Sequence, residues 1–487
     1  MKLGMKTILN FVNGKQVPPL SGEYFPTDDP AVGAPYALVP NSDEADLNAA
    51  VEAAEKAFPA WRDLGGEKRA ALLENLADLV EARKEEFALA ECVDTGKPLE
   101  LCRAVDIFRG IANLRVFADA ARNFHGQQFH KPDDKPATES YTLREPIGVV
   151  ATISPWNLPL LLFTWKFAPS LAAGNCVIAK PSEITPMTAS MLGPLVAEAG
   201  FPPGVFNILH GKGPKIGAAI TKHPKIAAIS FTGGTATGTE IYSGAARMLK
   251  KVSLELGGKN PTVVFDDCNF DLAVTGAARA AFTNQGQVCL CGSRILVDEK
   301  IYPKFRDALV AKVAELRPAD PLVPGTRFAA MVSKPHMEKV LSYMDLARQE
   351  GGKLLTGGDR AHLEGRCADG YFLQPTLFEN LPSDSRTNQE EIFGPVATLI
   401  PFRTEDEALA IANSTTYGLS SSIWTESPER ARRVAAKLES GTVWLNCWNI
   451  RDLELPFGGM KKSGVGREGK WRAMEFFTQE KTVTKLL

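Results

Sequence analysis

The sequence predicts an α/β protein built from two doubly wound units, each a mostly parallel sheet with helices on both faces. Short apolar runs alternate with amphipathic stretches from about residue 147 onward, and the alternation begins again near residue 261. The length of 487 residues exceeds what one hydrophobic core usually fills. Because the short runs lack polar alternation, they are typical of parallel strands that are buried on both faces.

Composition excludes several classes of protein. The chain is 44% hydrophobic and 23% charged, with 55 basic and 57 acidic residues and a net charge of −2. This balance gives no electrostatic reason to expect nucleic acid or an anionic membrane as a partner. The first residues lack a leader pattern and no apolar run approaches about 18 residues, so we expect no signal peptide, no membrane span and a cytoplasmic location.

The cysteines and histidines do not have the spacing of metal ligands. The chain contains eight cysteines and six histidines, with no CxxC motif. In a reducing compartment such cysteines are mostly buried small hydrophobes. The sequence therefore predicts no metal site.

The elements follow in order along the chain. Three amphipathic helices are predicted over residues 43–58, 67–92 and 98–123, and the stretch 127–144 is predicted to be extended. Strands of the first alternation are predicted at 147–153, 176–179, 205–209 and 226–231, with helices at 161–173, 186–199, 216–221 and from about 238. The second alternation predicts strands at 261–265, 294–297, 423–424 and 442–445, with helices at 270–282, 301–316 and 428–438. The junction between the units falls near residue 257.

Three polar residues near this junction indicate thiol chemistry. Cys289 lies in a connection between a predicted helix and strand, Glu255 ends an apolar strand, and Asn157 follows another strand between two prolines. A buried carboxyl has a raised pKa, as a general base requires, and an amide can stabilise an oxyanion. Each residue alone is also compatible with a structural role, as a core thiol, a helix-capping acid or a turn-forming Asn.

Seven segments, in order, resemble motifs of the aldehyde dehydrogenase superfamily over essentially the whole chain. They are Pro155-Trp156-Asn157, Lys180-Pro181-Ser182-Glu183, Phe231-Thr232-Gly233-Gly234, Glu255-Leu256-Gly257-Gly258-Lys259, Gly286-Gln287-Val288-Cys289, Glu390-Glu391-Ile392-Phe393-Gly394-Pro395 and Pro456-Phe457-Gly458-Gly459. The resemblance implies an aldehyde dehydrogenase-like fold with two doubly wound α/β domains and a small β oligomerisation arm. It places the NAD-binding domain at 1–125 and 147–257, the catalytic domain at 258–445, and the oligomerisation strands at 126–146 and 474–487.

The resemblance also implies catalytic roles. Cys289 matches the nucleophile that attacks the aldehyde carbon, and the Asn157 amide with the backbone N–H of Cys289 matches the oxyanion hole. Hydride transfer then gives a thioester, and Glu255 matches the base that activates the hydrolytic water. Cys291 is expected to be structural.

The cofactor that the resemblance implies is NAD. The residues that match cofactor contacts in the family are Trp156, Lys180, Glu183, Gly233, Gly234, Glu391 and Phe393. Gly233 and Gly234 match the turn where pyrophosphate meets a helix N-terminus. Family members often carry Ser in place of Gly234, which puts one hydroxyl contact to phosphate in doubt. Glu183 matches a ribose contact that favours a free 2′-hydroxyl, and therefore NAD over NADP.

Two arginines indicate the class of aldehyde that is the substrate. Arg109 and Arg451 match positions at the substrate entrance where relatives that oxidise simple aldehydes carry apolar side chains. Either alone is compatible with a solvated salt bridge, but together they suggest a carboxylate clamp, because Arg binds carboxylates bidentately. The pattern is similar to the muconate semialdehyde dehydrogenases, which implies a small aldehyde substrate that bears a carboxylate.

The resemblance leaves the exact substrate open. The 2-hydroxymuconate-6-semialdehyde is preferred, its 2-amino counterpart is the alternative, and another acidic semialdehyde, such as the carboxymethyl-substituted relative, is a third possibility. Asn157 is a further candidate contact for the substituent at carbon 2. Edge strands must be covered, and in the family they pair between subunits, so a homodimer or homotetramer is expected.

Two other classes of function remain open at this stage. A thiol hydrolase or acyltransferase would use Cys289, but no histidine accompanies it in a motif and the nucleotide-type segments would have no role. A non-enzymatic binding role would leave Cys289, Glu255 and Asn157 unexplained.

Overall fold

The computed structural model describes residues 5–132 and 136–487. Residues 1–4 of the predicted first domain and 133–135 of the predicted arm lie outside the described residues. Within the described residues, the strands form an eight-stranded and a seven-stranded sheet, together with two three-stranded sheets and one two-stranded sheet.

The first large sheet has five central parallel strands with antiparallel strands at both edges. Its spatial order is Gly464–Val465, Lys251–Glu255, Ile226–Thr232, Val149–Ile153, Cys176–Lys180, Phe206–Ile208, Asn10–Val12 and Lys15–Val17. The strands Val149–Ile153 and Cys176–Lys180 are buried throughout, as expected for strands covered on both faces. All five parallel strands end on one edge, and the polar motifs of the sequence follow four of them.

The helices that cover this sheet confirm the predicted alternation, with differences in detail. They are Glu44–Asp63, Gly66–Ala82, Lys84–Thr95, Leu99–Leu101, Phe108–Asn123, Pro159–Ala172, Met187–Glu198, Ala218–Lys222 and Thr235–Ala246. The single helix predicted over 67–92 is wrong, because Arg83 has non-helical backbone angles (φ −112°, ψ 19°) and divides it in two. Its N–H bonds to the carbonyls of Glu81 and Val80, which tightens the final turn of the earlier helix.

The helix predicted over 98–123 contains a π-helical turn. The turn spans Cys102–Ile107 and leads directly into Phe108–Asn123. A second π-helical turn, Gly213–Gly217, precedes Ala218–Lys222. A π-turn widens the helix by one residue and changes the direction of the side chains that follow, which is why such turns occur often at functional sites.

The second large sheet has parallel strands except at one edge. Its order is Lys353–Thr356, Thr376–Glu379, Val396–Phe402, Arg294–Asp298, Pro261–Val264, Ser420–Trp424 and Thr442–Leu445. The remaining helices are Phe270–Phe282, Tyr302–Ala314, Lys334–Gln349, Arg386–Gln389, Glu405–Asn413, Pro428–Lys437 and Lys470–Phe476, with 3₁₀ turns at Thr283–Gly286 and Gly365–Cys367. The sequence analysis did not predict the helices and strands between residues 334 and 402.

The smaller sheets lie outside these two units. The strands Gln128–Lys131, Thr138–Pro146 and Thr478–Leu486 form an antiparallel sheet whose side chains are mostly exposed. Residues 474–476, which were predicted to be extended, belong instead to the helix that ends at Phe476. The other strands are Lys6–Thr7, Tyr24–Asp29 and Ala34–Pro40 in one sheet, and Tyr417–Gly418 with Met460–Lys461 in another.

The chain returns to the first sheet after residue 445. The strand Gly464–Val465 pairs antiparallel with Lys251–Glu255, so that Gly464 lies opposite Glu255. Ser463 reinforces the pairing, because its carbonyl accepts from the N–H of Leu256 at 2.9 Å and its hydroxyl donates to the carbonyl of Gly257 at 2.7 Å. The segment 463–465 therefore covers the end of the strand that carries Glu255.

The packing of the helix Phe270–Phe282 against the second sheet predicts a stability change. We expect Gly276→Ala to lower the free energy of unfolding by about 1–3 kcal/mol, since overpacking forces neighbours to move. The new Cβ would lie 2.1 Å from Cη2 of the buried Trp424. Gly217→Ala is the matched control, because its Cβ would meet nothing within 4 Å. Urea unfolding followed by tryptophan fluorescence measures both, and equal losses would contradict this packing.

Candidate active site

A cleft lies at the carboxyl ends of the first sheet and is closed by loops of the second unit. It is lined by Pro155, Trp156, Asn157, Leu162, Thr232, Gly233, Gly234, Leu256, Gly257, Cys289, His336, Lys339, Glu391 and Phe393. Seven of these are residues that the sequence singled out: Trp156, Asn157, Gly233, Gly234, Cys289, Glu391 and Phe393. Ligands of α/β proteins bind at this edge because the strands end there and the loops diverge.

The loop that carries Cys289 has an unusual backbone. Asn284, Gln285 and Gly286 have φ values of 52°, 55° and 72°. Only glycine is tolerated at 286, because a Cβ there would lie 2.1 Å from the carbonyl oxygen of Gly394. Asn260 fixes the far end, since its Nδ2 donates to the carbonyl of Cys289 at 2.7 Å. The loop is thus held before and after the thiol.

The Cys289 thiol is half-buried and lines the cleft. Burial raises its pKa above the ordinary 9.0, and the nearby carboxyls of Glu391 and Glu255 raise it further, while Arg451 opposes them. Cys291 is fully buried and its Sγ faces the carbonyl of Thr283 at 4.0 Å, away from the cleft. The two thiols of the CxC sequence therefore have different environments.

Asn157 connects the first unit to the Cys289 loop. Its side chain is buried, and Nδ2 donates to the carbonyl of Gln287 at 3.0 Å. Its own carbonyl accepts from Asn284 Nδ2 at 3.2 Å and from Lys97 Nζ at 2.9 Å. The Asn157 amide is thus bonded to Gln287, which precedes Cys289 by two residues in the chain.

Glu255 is a buried carboxyl whose two oxygens have no hydrogen-bond partner among the described residues. Burial raises its pKa well above 4.5, as does Glu468, while Lys166 and Arg451 oppose the shift. Glu468 itself is held by Lys166 and by Trp165 Nε1, which donates to it at 2.7 Å. Glu255 is therefore a carboxyl of raised basicity whose oxygens are not engaged by any described residue.

Glu391 lies on the other side of the cleft. Its Oε1 accepts from the N–H of Gly258 at 2.9 Å, and a Cβ at Gly257 would lie 2.1 Å from its Oε2. Burial raises the pKa of Glu391 to about 7, although the Gly258 N–H and two lysines, Lys339 and Lys259, oppose it. Glycine at 257 is thus required by the close approach of a carboxyl.

Three rings form one wall of the cleft. Trp156 packs edge-on against Phe393 at 5.2 Å and against His336 at 4.9 Å between ring centroids. Phe393 has a φ of 62°, and its carbonyl accepts from His336 Nε2 at 2.7 Å. Burial lowers the pKa of His336 to about 4, so the ring is neutral at pH 7. The sequence analysis missed His336 and Lys339, because both lie in an ordinary amphipathic helix without a motif.

Lys180 and Glu183 form a pair beside the cleft. Lys180 Nζ lies 3.0 Å from Glu183 Oε2, and Glu183 Oε1 accepts from the N–H of Gly213 at 3.1 Å. Burial raises the pKa of Glu183, but the Lys180 charge and the hydrogen bond from the Gly213 N–H outweigh this effect, so that the pKa lies below 4.5. Glu183 therefore presents a fixed negative charge.

The two glycines at the start of the helix Thr235–Ala246 differ. The N–H of Gly233 donates to the carbonyl of Glu255 at 3.1 Å, so it is not available to a phosphate. Gly234 caps the helix, whose first N–H groups are free by geometry. A Cβ at Gly234 would meet nothing within 4 Å, so glycine is not required there by packing.

Arg109 lies near Arg451, and its charge therefore lowers the pKa of Arg451. Burial is the larger cause, and together they bring the pKa of Arg451 to about 10. The Arg451 guanidinium stacks on the Phe457 ring at 3.6 Å, and Arg109 Nε is buried without a partner. In the described part of the chain, neither arginine has an ion pair with a carboxylate. The pair therefore concentrates positive charge, although the carboxyls of Glu255 and Glu468 also act on Arg451.

All eight cysteines are free thiols. Within residues 5–132 and 136–487, no group of three or more His, Cys, Asp or Glu is arranged to hold a metal ion. Over the same residues, no helix has both the length and the apolar character to cross a membrane.

Comparison with known proteins identifies the family. A model of the aldehyde dehydrogenase family matches residues 17–483. The 2-aminomuconic semialdehyde dehydrogenase of Bos taurus is 46% identical over 483 residues, covering 99% of this chain and 98% of the relative. The 2-hydroxymuconic semialdehyde dehydrogenase of Pseudomonas sp. (strain CF600) is 45% identical over 483 residues, covering 98% and 99%. The chain belongs to the aldehyde dehydrogenase family.

Solved structures agree with this assignment. The NAD⁺ complex of an aldehyde dehydrogenase from Bacillus cereus has a TM-score of 0.95 at 39% identity, covering 99% of this chain and 97% of that chain. The predicted fold and the predicted family are therefore confirmed. The protein is an oxidoreductase that acts on aldehydes, and the NAD⁺ complex supports the use of NAD or NADP.

The environment of Cys289 predicts how its reactivity depends on pH. Because burial and nearby acids hold its pKa above 9.0, alkylation by iodoacetamide should rise about tenfold per pH unit from pH 7 to 9 without levelling off. Mass spectrometry of the modified peptide measures the rate. The Cys291→Ser variant separates the two thiols of that peptide, and a plateau near pH 8 would contradict the raised pKa.

Proposed function

We propose that the protein oxidises an acidic semialdehyde to the dicarboxylic acid with NAD, through a covalent intermediate on Cys289. The observation that carries the proposal is the pair Arg109 and Arg451, since neither has an ion pair with a described carboxylate. Arg451 lies close enough to Cys289 and Glu255 to lower the pKa of both. A substrate with an aldehyde at one end and a carboxylate at the other matches a nucleophile that has a cationic group in its vicinity.

Cys289 forms the bond to substrate. Its thiol proton passes to solvent, and the thiolate sulfur attacks the aldehyde carbon as the C=O π bond opens, which gives the tetrahedral thiohemiacetal anion. The negative charge that develops on the aldehyde oxygen is stabilised by the backbone N–H of Cys289 and by the amide of Asn157. One hydrogen of that amide is bound to the Gln287 carbonyl and the second remains for the oxygen. One such hydrogen-bond donor lowers the activation barrier by about 3–4 kcal/mol.

When bound, NAD would supply the hydride acceptor that oxidation of the Cys289 adduct to a thioester requires. Glu255 then takes a proton from the water that hydrolyses the thioester. Its oxygens are free of partners, and its raised pKa gives it the basicity that this step requires. The acid product leaves and Cys289 recovers its proton.

The cleft has the chemistry that NAD requires. The free N–H groups at the start of the helix Thr235–Ala246 suit a pyrophosphate, with Gly233 and Gly234 forming the turn. Lys180 and Glu183 would hold the adenosine ribose, and the charge of Glu183 disfavours a 2′-phosphate. Glu391 would hold the nicotinamide ribose, with the rings of Trp156 and Phe393 beside it.

We favour 2-hydroxymuconate-6-semialdehyde as substrate. The 2-amino counterpart is the second candidate, because a relative named for it is 46% identical and one named for the hydroxy compound is 45% identical. The two substrates differ in one group at carbon 2, where Asn157 is a candidate contact. Comparison of kcat/KM on the two semialdehydes decides between them.

The remaining assignments are also proposals. Residues 1–125 and 147–257 would form the NAD-binding domain, and 258–445 the catalytic domain. The exposed sheet of Gln128–Lys131, Thr138–Pro146 and Thr478–Leu486 would pair between subunits of a homodimer or homotetramer, which covers its edges. A cytoplasmic location stays a prediction of the sequence.

Removal of the nucleophile tests the mechanism. Cys289→Ala should reduce turnover of any aldehyde by at least about 10⁴-fold, because no other thiol lines the cleft. The Kd for NAD, measured by quenching of tryptophan fluorescence, should stay within about twofold. Retained NADH formation would show that another residue carries the covalent step.

Removal of the cations tests the substrate class. Arg109→Ala or Arg451→Ala should raise KM for the acidic semialdehyde at least about tenfold, since a shielded charge-assisted bond contributes about 1.5–3 kcal/mol. The kinetics on a neutral aldehyde of similar length should change far less. Arg103→Ala is the matched control, because Arg103 lies on the same helical segment and pairs with Glu85 at the surface. Equal losses on both aldehydes would exclude a carboxylate clamp.

A further inference from the structure

We propose that a buried charge cluster of Lys97, Asp106 and Glu91 positions Asn157 for catalysis. These residues do not line the cleft and have no part in the mechanism above. The inference rests on the proposed role of Asn157 in the oxyanion hole. It makes Lys97 and its two acids positioning residues for the reaction.

Lys97 is the centre of the cluster. Its side chain is fully buried, and Nζ donates to Asp106 Oδ1 at 2.8 Å and to the carbonyl of Asn157 at 2.9 Å. Glu91 Oε1 lies 4.0 Å from the same Nζ. The ammonium therefore bonds directly to the backbone of the residue whose amide would contact the oxyanion.

Glu91 fixes the other end of the same turn. Its two oxygens accept from the N–H of Leu160 at 3.2 and 3.4 Å. Leu160 lies in the first turn of the helix Pro159–Ala172, where N–H groups have no partner within the helix and an acidic acceptor is favourable. The turn from 157 to 160 is thus held at both ends by one buried cluster.

The π-helical turn carries the third member. Asp106 lies in Cys102–Ile107 and is fully buried, and its Oδ2 accepts no hydrogen bond from any residue that the structure describes. The extra residue of a π-turn alters the direction in which side chains leave the helix. This departure from regular helix is explained if Asp106 must face Lys97.

The cluster is a poor way to gain stability alone. Ion pairs that are fully removed from water often contribute no more than apolar residues of the same volume. Burial and the neighbouring Asp106 raise the pKa of Glu91 well above 4.5, while Lys97 opposes the shift. A positioning role explains why a costly arrangement is placed against the Asn157 carbonyl.

Two variants separate positioning from stability. Lys97→Met leaves Asp106 without a counter-ion and should lower Tm, whereas Lys97→Met with Asp106→Leu removes both charges and should recover most of that loss. If the cluster positions Asn157, the double variant should still form its first-turnover burst of NADH from a neutral aldehyde about 10–100-fold more slowly than the unaltered protein. The Kd for NAD and the rate of Cys289 alkylation should stay within about twofold in the double variant.

Leu309→Ala is the control for stability. Leu309 is fully buried in the second unit, so its truncation should lower Tm without slowing the burst. If the double variant does not fold, the near-isosteric Asp106→Asn replaces it, and its burst should also be at least about fivefold slower at unchanged NAD affinity.

Three results would overturn the inference. These are a burst rate that recovers together with Tm in the double variant, an unchanged burst rate in Asp106→Asn, and alkylation that slows as much as the burst. Failure of the unaltered protein to form NADH from any aldehyde would instead contradict the proposed function, so the two failures are distinguishable.

Discussion

The structure of the cleft depends on the hydrogen bond from the Asn157 amide to the carbonyl of Gln287. Asn157 follows a strand of the first sheet, and Gln287 belongs to the loop that leads into the second. Asn284 binds both carbonyls, at 3.2 Å to Asn157 and 3.3 Å to Gln287, so the connection is doubled. Because these bonds are buried, they fix the thiol relative to the first unit with little freedom for solvent to replace them.

Burial sets the electrostatics of this site. It raises the pKa of the carboxyls Glu255 and Glu391 and of the Cys289 thiol, and it lowers the pKa of Arg451. Each shift favours the neutral form of its group, and among these groups Glu391, with a pKa of about 7, titrates near neutral pH. Glu183 is the exception, because Lys180 and a backbone N–H keep it charged in spite of burial.

The sequence predicted the fold class and the family, because uninterrupted apolar runs identify parallel strands and the motifs follow those strands. Seven of the residues that it singled out line one cleft, four of them in loops that follow strands of the first sheet and three in loops of the second unit. The sequence did not predict the break at Arg83, the π-turn at Cys102–Ile107 or the placement of His336. These depend on contacts between segments distant in sequence, and no local pattern encodes them.

The pairing of Gly464 with Glu255 has a consequence for biosynthesis. More than 200 residues separate the strand Lys251–Glu255 from the segment at 463–465, and that segment must be translated before it can complete the sheet edge. Until then the carboxyl remains open to water, and the nascent chain exposes an unpaired edge that invites aggregation. The site around Glu255 is therefore completed only late in the synthesis of the chain.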